Sequence, residues 1–132
     1  MAGAILDTMA VLRMSFRPEL LSVAAKERIL DDSAPLFYSI VSLWEIGIKM
    51  SKGGYDDLEL PDDWDLRIVD GFAAQGIVRI EIGQVHCKLI ETLPYHHKDP
   101  FDRMLIAQAL NGGFSVIGSD ERFDAYGVKR VW

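Results

Sequence analysis

Apolar positions along the chain follow two alternating rhythms. Short apolar runs stand at Ala4-Ile5-Leu6, Leu36-Phe37-Tyr38-Ser39, Ile77-Val78-Arg79-Ile80 and Phe114-Ser115-Val116-Ile117, with a last one between Val128 and Val131. Each is too short for a helix and reads as a strand apolar on both faces, as in a parallel sheet covered on both sides. Between them lie stretches with apolar residues three or four apart, the helical spacing. The first run ends in Asp7-Thr8, read as a turn. Helices are predicted over Leu20–Leu30, Val41–Met50, Pro61–Gln75, Gln84–Thr92, Asp99–Leu110 and, briefly, Glu121–Tyr126. Their ends carry the expected breakers: Asp31 to Pro35, Lys52-Gly53-Gly54, Gly76, Pro94 and Asn111-Gly112-Gly113. Strands alternating with helices predict an α/β fold with a mostly parallel sheet. With no repeats or linkers in 132 residues, one domain spanning 1–132 is expected.

Composition narrows the chemistry. The single cysteine, Cys87, excludes an internal disulfide framework and a Cys-rich zinc site, and fits a reducing cytoplasmic setting. No apolar run approaches the ~20 residues that cross a bilayer, and Met1 to Leu12 lacks the basic start of a secretory signal. The net charge of −6 is not the footprint of a protein that grips nucleic acid by Lys and Arg alone. It fits either a plain acidic surface or acids gathered in one cation-binding pocket.

In parallel sheets ligands sit beyond the carboxyl ends of the strands, which directs attention to the residues after each strand. Asp7 follows the first strand and Asp120 follows the fourth after Gly118-Ser119. Glu45 lies in the apolar stretch Leu43-Trp44-Glu45-Ile46, and Asp99 and Asp102 open the Asp99–Leu110 helix. Carboxylates brought together repel: two unit charges 4 Å apart at an effective dielectric of ~20 interact by about 4 kcal/mol. Such a cluster must take up protons or bind a cation. All-oxygen ligands select Mg²⁺ or Mn²⁺, which suits phosphodiester hydrolysis without a protein nucleophile. Each acid also has a plainer reading. Asp99 before Pro100 is a good N-cap, with Asp102 at N3. Ser42 and Glu45 have capping-box spacing, and Asp7 and Asp120 can each cap the helix that follows. Capping explains the acids singly but not their recurrence after two strands and inside an apolar helix.

Other motifs are weak. His96-His97 adjoin the Asp99 helix without an HExxH pattern, which favours capping or substrate contact over metal ligation. His86 and Cys87 read as ordinary core or surface positions. No nucleophile elbow, dinucleotide fingerprint or P-loop is present. Lys98, Arg103 and Arg122 flank the acids, where they would hold phosphates or balance charge. The Val11–Leu21 region offers an apolar candidate interface.

Four segments together resemble the PIN domain family: Ile5-Leu6-Asp7-Thr8, Ser42-Leu43-Trp44-Glu45-Ile46, His96 through Ala109 with its HxxDPFDRxLIAQA pattern, and Ser119-Asp120-Glu121-Arg122-Phe123. Within it the chain is most similar to the VapC-type toxins of bacterial toxin–antitoxin systems. The resemblance spans essentially the whole chain. It implies a three-layer α/β/α sandwich and a Mg²⁺- or Mn²⁺-dependent ribonuclease. It matches Asp7, Glu45, Asp102 and Asp120 to the family's metal-site acids, and Asp99 and Thr8 to polar neighbours of that site. Arg103 and Ser119 are further candidates for supporting or substrate contacts. It also implies a homodimer, and a small antitoxin that threads a segment into the acidic groove. Relatives often carry His in place of Met9, an aromatic near Arg13, and Thr in place of Gly118, so a hydroxyl beside the acids would come from Ser119 or be missing. Setting the four acids aside brings the charge balance close to neutral, and a bound cation inverts the local field. An RNA substrate is therefore compatible with the acidic composition.

Two rival classes remain. A catalytically weak PIN-fold module would use the same groove to grip a protein partner. A phosphatase or phosphoacceptor domain would need a second acid two residues after Asp7, where Met9 stands.

Overall fold

The computed structural model describes residues 2–132. Strands β1 (Ala4–Leu6), β2 (Leu36–Ser39), β3 (Val78–Ile80), β4 (Ser115–Ile117) and β5 (Arg130–Val131) form one sheet in the order β3-β2-β1-β4-β5. Every pairing is parallel, with Leu6 opposite Tyr38 on one side and Ile117 on the other. Because side chains alternate along a strand, Ala4 and Leu6 enter one apolar core while Ile5 enters the other. The helices are α1 (Thr8–Phe16), α2 (Val23–Leu30), α3 (Ile40–Ser51), α4 (Trp64–Ala74), α5 (Gln84–Thr92) and α6 (Pro100–Gly112). Val11 and Leu12 of α1, Ala25 of α2 and Ile68 and Phe72 of α4 pack with Ala4 and Leu6. Leu105, Ile106 and Ala109 of α6 pack with Ile5, Val116 and Phe123. The result is the expected three-layer α/β/α sandwich with a parallel sheet.

The chain builds β1-β2-β3 to one side of β1 and then places β4 and β5 on the other. The sheet order therefore reverses between β1 and β4, which opens a crevice at their carboxyl ends. Asp7 and Gly118 to Asp120 stand there.

Four differences from the sequence reading matter here, three of them set by a side-chain cap. Asp7-Thr8 is not a turn between elements: Asp7 is the N-cap of α1, its Oδ1 accepting the Ala10 N–H at 2.8 Å. The strand thus runs into a helix without a loop. The next helix begins at Val23, not Leu20, because Ser22 accepts the Ala25 N–H and Pro18–Leu20 forms a separate 3₁₀ turn. Helix α4 starts at Trp64, with Pro61 in the preceding turn. Ser39 caps α3 through the Val41 N–H, so Ser42 and Glu45 lie inside the helix and form no capping box. Within the Val11–Leu21 region, Val11, Leu12 and Leu21 are buried in the core, whereas Pro18 and Leu20 are exposed. Among the described residues no helix is long and apolar enough to cross a membrane.

Candidate metal centre

The α1 cap holds Asp7 with its second oxygen over Gly118. A Cβ built on Gly118 would stand 2.2 Å from Asp7 Oδ2 and 2.6 Å from Cγ. The carboxyl group occupies the space that any side chain at position 118 would need. Ser119 is exposed and makes no side-chain hydrogen bond, so neither residue brings a hydroxyl to the acids.

Thr8, the first residue of α1, reaches across to α3. Its hydroxyl donates to Glu45 Oε1 at 2.6 Å and lies 3.0 Å from Ser42 Oγ. Thr8 and Ser42 are buried, so the pair fixes a carboxylate that Trp44 and Ile46 would otherwise leave among apolar neighbours. At the head of α6, Asp99 caps the helix through the Phe101 and Asp102 N–H groups at 2.8 and 3.1 Å. That orients the first turn and turns Asp102 inward.

His97 joins the last two acids. Its ring is almost fully buried, and Nε2 lies 2.9 Å from Asp102 Oδ2 and 3.1 Å from Asp120 Oδ2. These atoms all lie within 4.8 Å of one another. Asp120 is also gripped from outside by Arg122, whose Nε and Nη2 donate to both of its oxygens at 2.8–3.2 Å.

The electrostatics divide the acids. Burial pushes Asp7 from 3.8 up to about 7; the Ala10 N–H opposes this, and the charges of Asp102 and Glu45 add to it. Burial likewise raises Asp102 to about 7, reinforced by Asp99, Glu45 and Asp120 and opposed by His97. Glu45 is raised by burial against the Thr8 hydrogen bond, with Asp99 adding to the rise. Asp120 goes the other way: hydrogen bonding from Arg122 holds it well below the ordinary carboxylate range. Among the described residues, no Lys or Arg forms an ion pair with Asp7, Glu45 or Asp102. Arg13 lowers Asp7 only from a distance, its guanidinium lying over the Trp132 ring.

This donor set fits a hard divalent cation. Carboxylates that burial and mutual repulsion make reluctant to ionise become favourable ligands once an ion compensates their charge. Among the described residues, Asp7, Glu45 and Asp102 are the members without a Lys or Arg ion pair, and Asp120 is the one that has it.

Of the two roles expected of Arg103, the structure favours a supporting contact over a substrate contact. It is buried, and its guanidinium donates to the carbonyls of Leu93, Pro94 and His97 and to the Tyr126 hydroxyl, beneath the Tyr95 ring. Nη1 and Nη2 are thus engaged by the loop before α6 and by Tyr126, not by a site acid. Lys98 is exposed, as is Arg122. The sequence reading missed a cleft of about 440 Å³ beside Glu45 and Asp99, lined by Lys49, Lys52, Tyr55 and Phe101. The i, i+3 spacing of Lys49 and Lys52, one turn beyond Glu45, was the available signal. His97, expected to cap or to contact substrate, instead meets Asp102 and Asp120, 5 and 23 residues away, where no local pattern points to them.

Comparison with known proteins agrees with this architecture. The sequence matches the PIN domain over residues 4–129. The chain belongs to the PIN domain family. No curated protein matches it. Among solved structures, it is similar to a DNA-bound VapBC from Salmonella typhimurium at 19% identity and a TM-score of 0.69, covering 98% of this chain and 97% of that one. VapBC2 from Rickettsia felis, bound to a DNA fragment from its promoter, gives 12% and 0.64 over 98% and 99%. FitAcB from Neisseria gonorrhoeae gives 15% and 0.60 over 96% and 95%. At these identities the likeness is one of fold.

Proposed function

We propose that this PIN domain, acting as one unit over 1–132, is a Mg²⁺- or Mn²⁺-dependent endoribonuclease. We further propose that it is the toxin of a toxin–antitoxin pair, working in the cytoplasm as a homodimer restrained by a small antitoxin. The observation that carries the catalytic reading is that Asp102 and Asp120 meet at His97 within 4.8 Å, while Asp7 and Glu45 lie near enough to add their charge to the same group and, among the described residues, have no Lys or Arg ion pair. Burying acids without a Lys or Arg partner costs free energy unless something else compensates their charge. The toxin reading rests on membership of the family and on the VapBC complexes that share the fold.

Asp7, Glu45, Asp102 and Asp120 would hold the cation. Bound there, Mg²⁺ or Mn²⁺ supplies activation of water for attack on phosphorus and neutralises the developing phosphate charge. The chain's own residues do the rest. Thr8 keeps Glu45 aimed inward, and the Asp99 cap keeps Asp102 at the head of α6. Lys49 and Lys52 in the neighbouring cleft provide positive charge for the flanking phosphates, with Tyr55 and Phe101 as stacking surfaces for bases.

The test is cleavage of RNA by the purified chain with Mg²⁺ or Mn²⁺ and with EDTA. Cleavage should require the ion, and Asp7→Asn and Asp102→Asn should each abolish it while circular dichroism shows the fold intact. Full cleavage by both variants would refute the assignment. Stable co-purification with a small partner, without ion-stimulated cleavage, would favour the binding-module alternative.

A further inference from the structure

We infer that His97 is a positioning residue of the candidate centre: a fixed N–H donor that draws Asp102 and Asp120 together and is not itself a ligand. The inference rests on the reading of those two acids as cation ligands.

The imidazole is constrained at both nitrogens. The Asp99 backbone N–H donates to Nδ1 at 3.1 Å. A nitrogen that accepts cannot carry the proton, so the ring proton sits on Nε2. That N–H faces two carboxylate oxygens, Asp102 Oδ2 at 2.9 Å and Asp120 Oδ2 at 3.1 Å. One donor is shared between two acceptors from different elements, α6 and the loop after β4. A protonated Nε2 has no lone pair left for a metal. Although its position among the carboxylates is that of a third ligand, the hydrogen bonding at Nδ1 assigns it the donor role.

The rest of the surroundings hold the ring still. The His97 N–H donates to the Tyr126 hydroxyl at 2.9 Å, and Tyr126 in turn donates to the Pro94 carbonyl at 2.7 Å. Arg103 donates to the carbonyls of Pro94, Leu93 and His97. The ring lies near Phe123, whose side chain is fully buried. Arg103 and Tyr126 thus serve the centre indirectly, by fixing the loop that carries the donor.

The inference separates two substitutions of similar size. Gln places its amide nitrogen near the position of Nε2, whereas Asn reaches only the position of Nδ1. Mn²⁺ binding to the full chain, followed by electron paramagnetic resonance of the free ion, should stay within about threefold of wild type for His97→Gln and weaken by about 10- to 100-fold for His97→Asn. The Mn²⁺-loaded wild type should show no nitrogen hyperfine coupling from a coordinated imidazole. Equal affinities for the two variants would overturn the inference, as would a coordinated-imidazole signal that His97→Gln removes. Asp102→Asn is the control for the underlying reading. Unchanged Mn²⁺ affinity in that variant would remove the centre itself, whereas loss there with no difference between the His97 variants would remove only the positioning role.

Discussion

The acid cluster has two halves that solve the same electrostatic problem differently. Asp7, Glu45 and Asp102 form the inner half, held by a backbone N–H, a threonine hydroxyl and an imidazole, and joined to no Lys or Arg. Asp120 forms the outer half, clamped on both oxygens by an exposed arginine. Burial raises the inner acids, and Arg122 depresses the outer one. The contrast teaches that an acid followed by an arginine two residues later is largely satisfied within its own segment. The inner acids have no such local partner, and their charge is left for something the chain does not supply.

The most damaging way to break the inner half without touching an acid is Gly118→Ala. The new methyl would meet the Asp7 carboxyl, which must swing away from its cap. Cleavage should fall by roughly 10²-fold, the usual consequence of displacing a reacting constellation by about 1 Å. An unchanged rate would mean that the position of the Asp7 carboxyl is unimportant.

Acidity sharpens the contrast next. Asp7 and Asp102 bind protons more tightly in the folded chain, at about 7, than the ordinary 3.8 of an unfolded one. Between those values the folded state holds more protons, so stability in EDTA should decrease as pH rises from about 4 to about 7 and then level off. Asp120 works in the opposite sense, but its contribution is lost only in strong acid, below this window. The Tm in EDTA should therefore be higher at pH 5 than at pH 8, by roughly 3 °C or more. Mg²⁺ should raise it at pH 8 and have little effect at pH 5, where the ligands hold protons. A Tm that rises from pH 5 to pH 8 in EDTA would contradict the strain assigned to the inner acids.

The smallest effect belongs to the outer half. Arg122→Ala should leave Tm unchanged, because the pair is exposed, and should tighten Mn²⁺ binding by about two- to fivefold as Asp120 loses its competitor. Weaker binding would mean that Arg122 supports the centre instead of competing with it.

Much of this was legible before folding. The apolar runs announced every strand, although only the central ones are buried throughout: β1 is, whereas β3 at the sheet edge leaves Val78 and Arg79 exposed. The rule that ligands collect beyond parallel strands then singled out Asp7 and Asp120. Helix α1 was missed because Asp7-Thr8, a cap, has the same composition as a turn. Arg103 looked like a phosphate ligand because its neighbours Asp99 and Asp102 are acidic, while its own acceptors are backbone carbonyls that have no signature in a sequence.

What the sequence determined alone is the alternation of strand and helix, the choice of a parallel sheet and the identity of the acids worth inspecting, since these follow from local periodicity and residue type. Only the tertiary structure decided which of those acids stay uncompensated, that His97 ties two of them together, and that Arg103 serves a loop. Charge compensation and hydrogen-bond direction depend on distances between residues remote in the chain, such as Thr8 and Glu45, separated by 37, or Asp7 and Asp102, separated by 95. Those distances exist only once the sheet has brought the strand ends side by side.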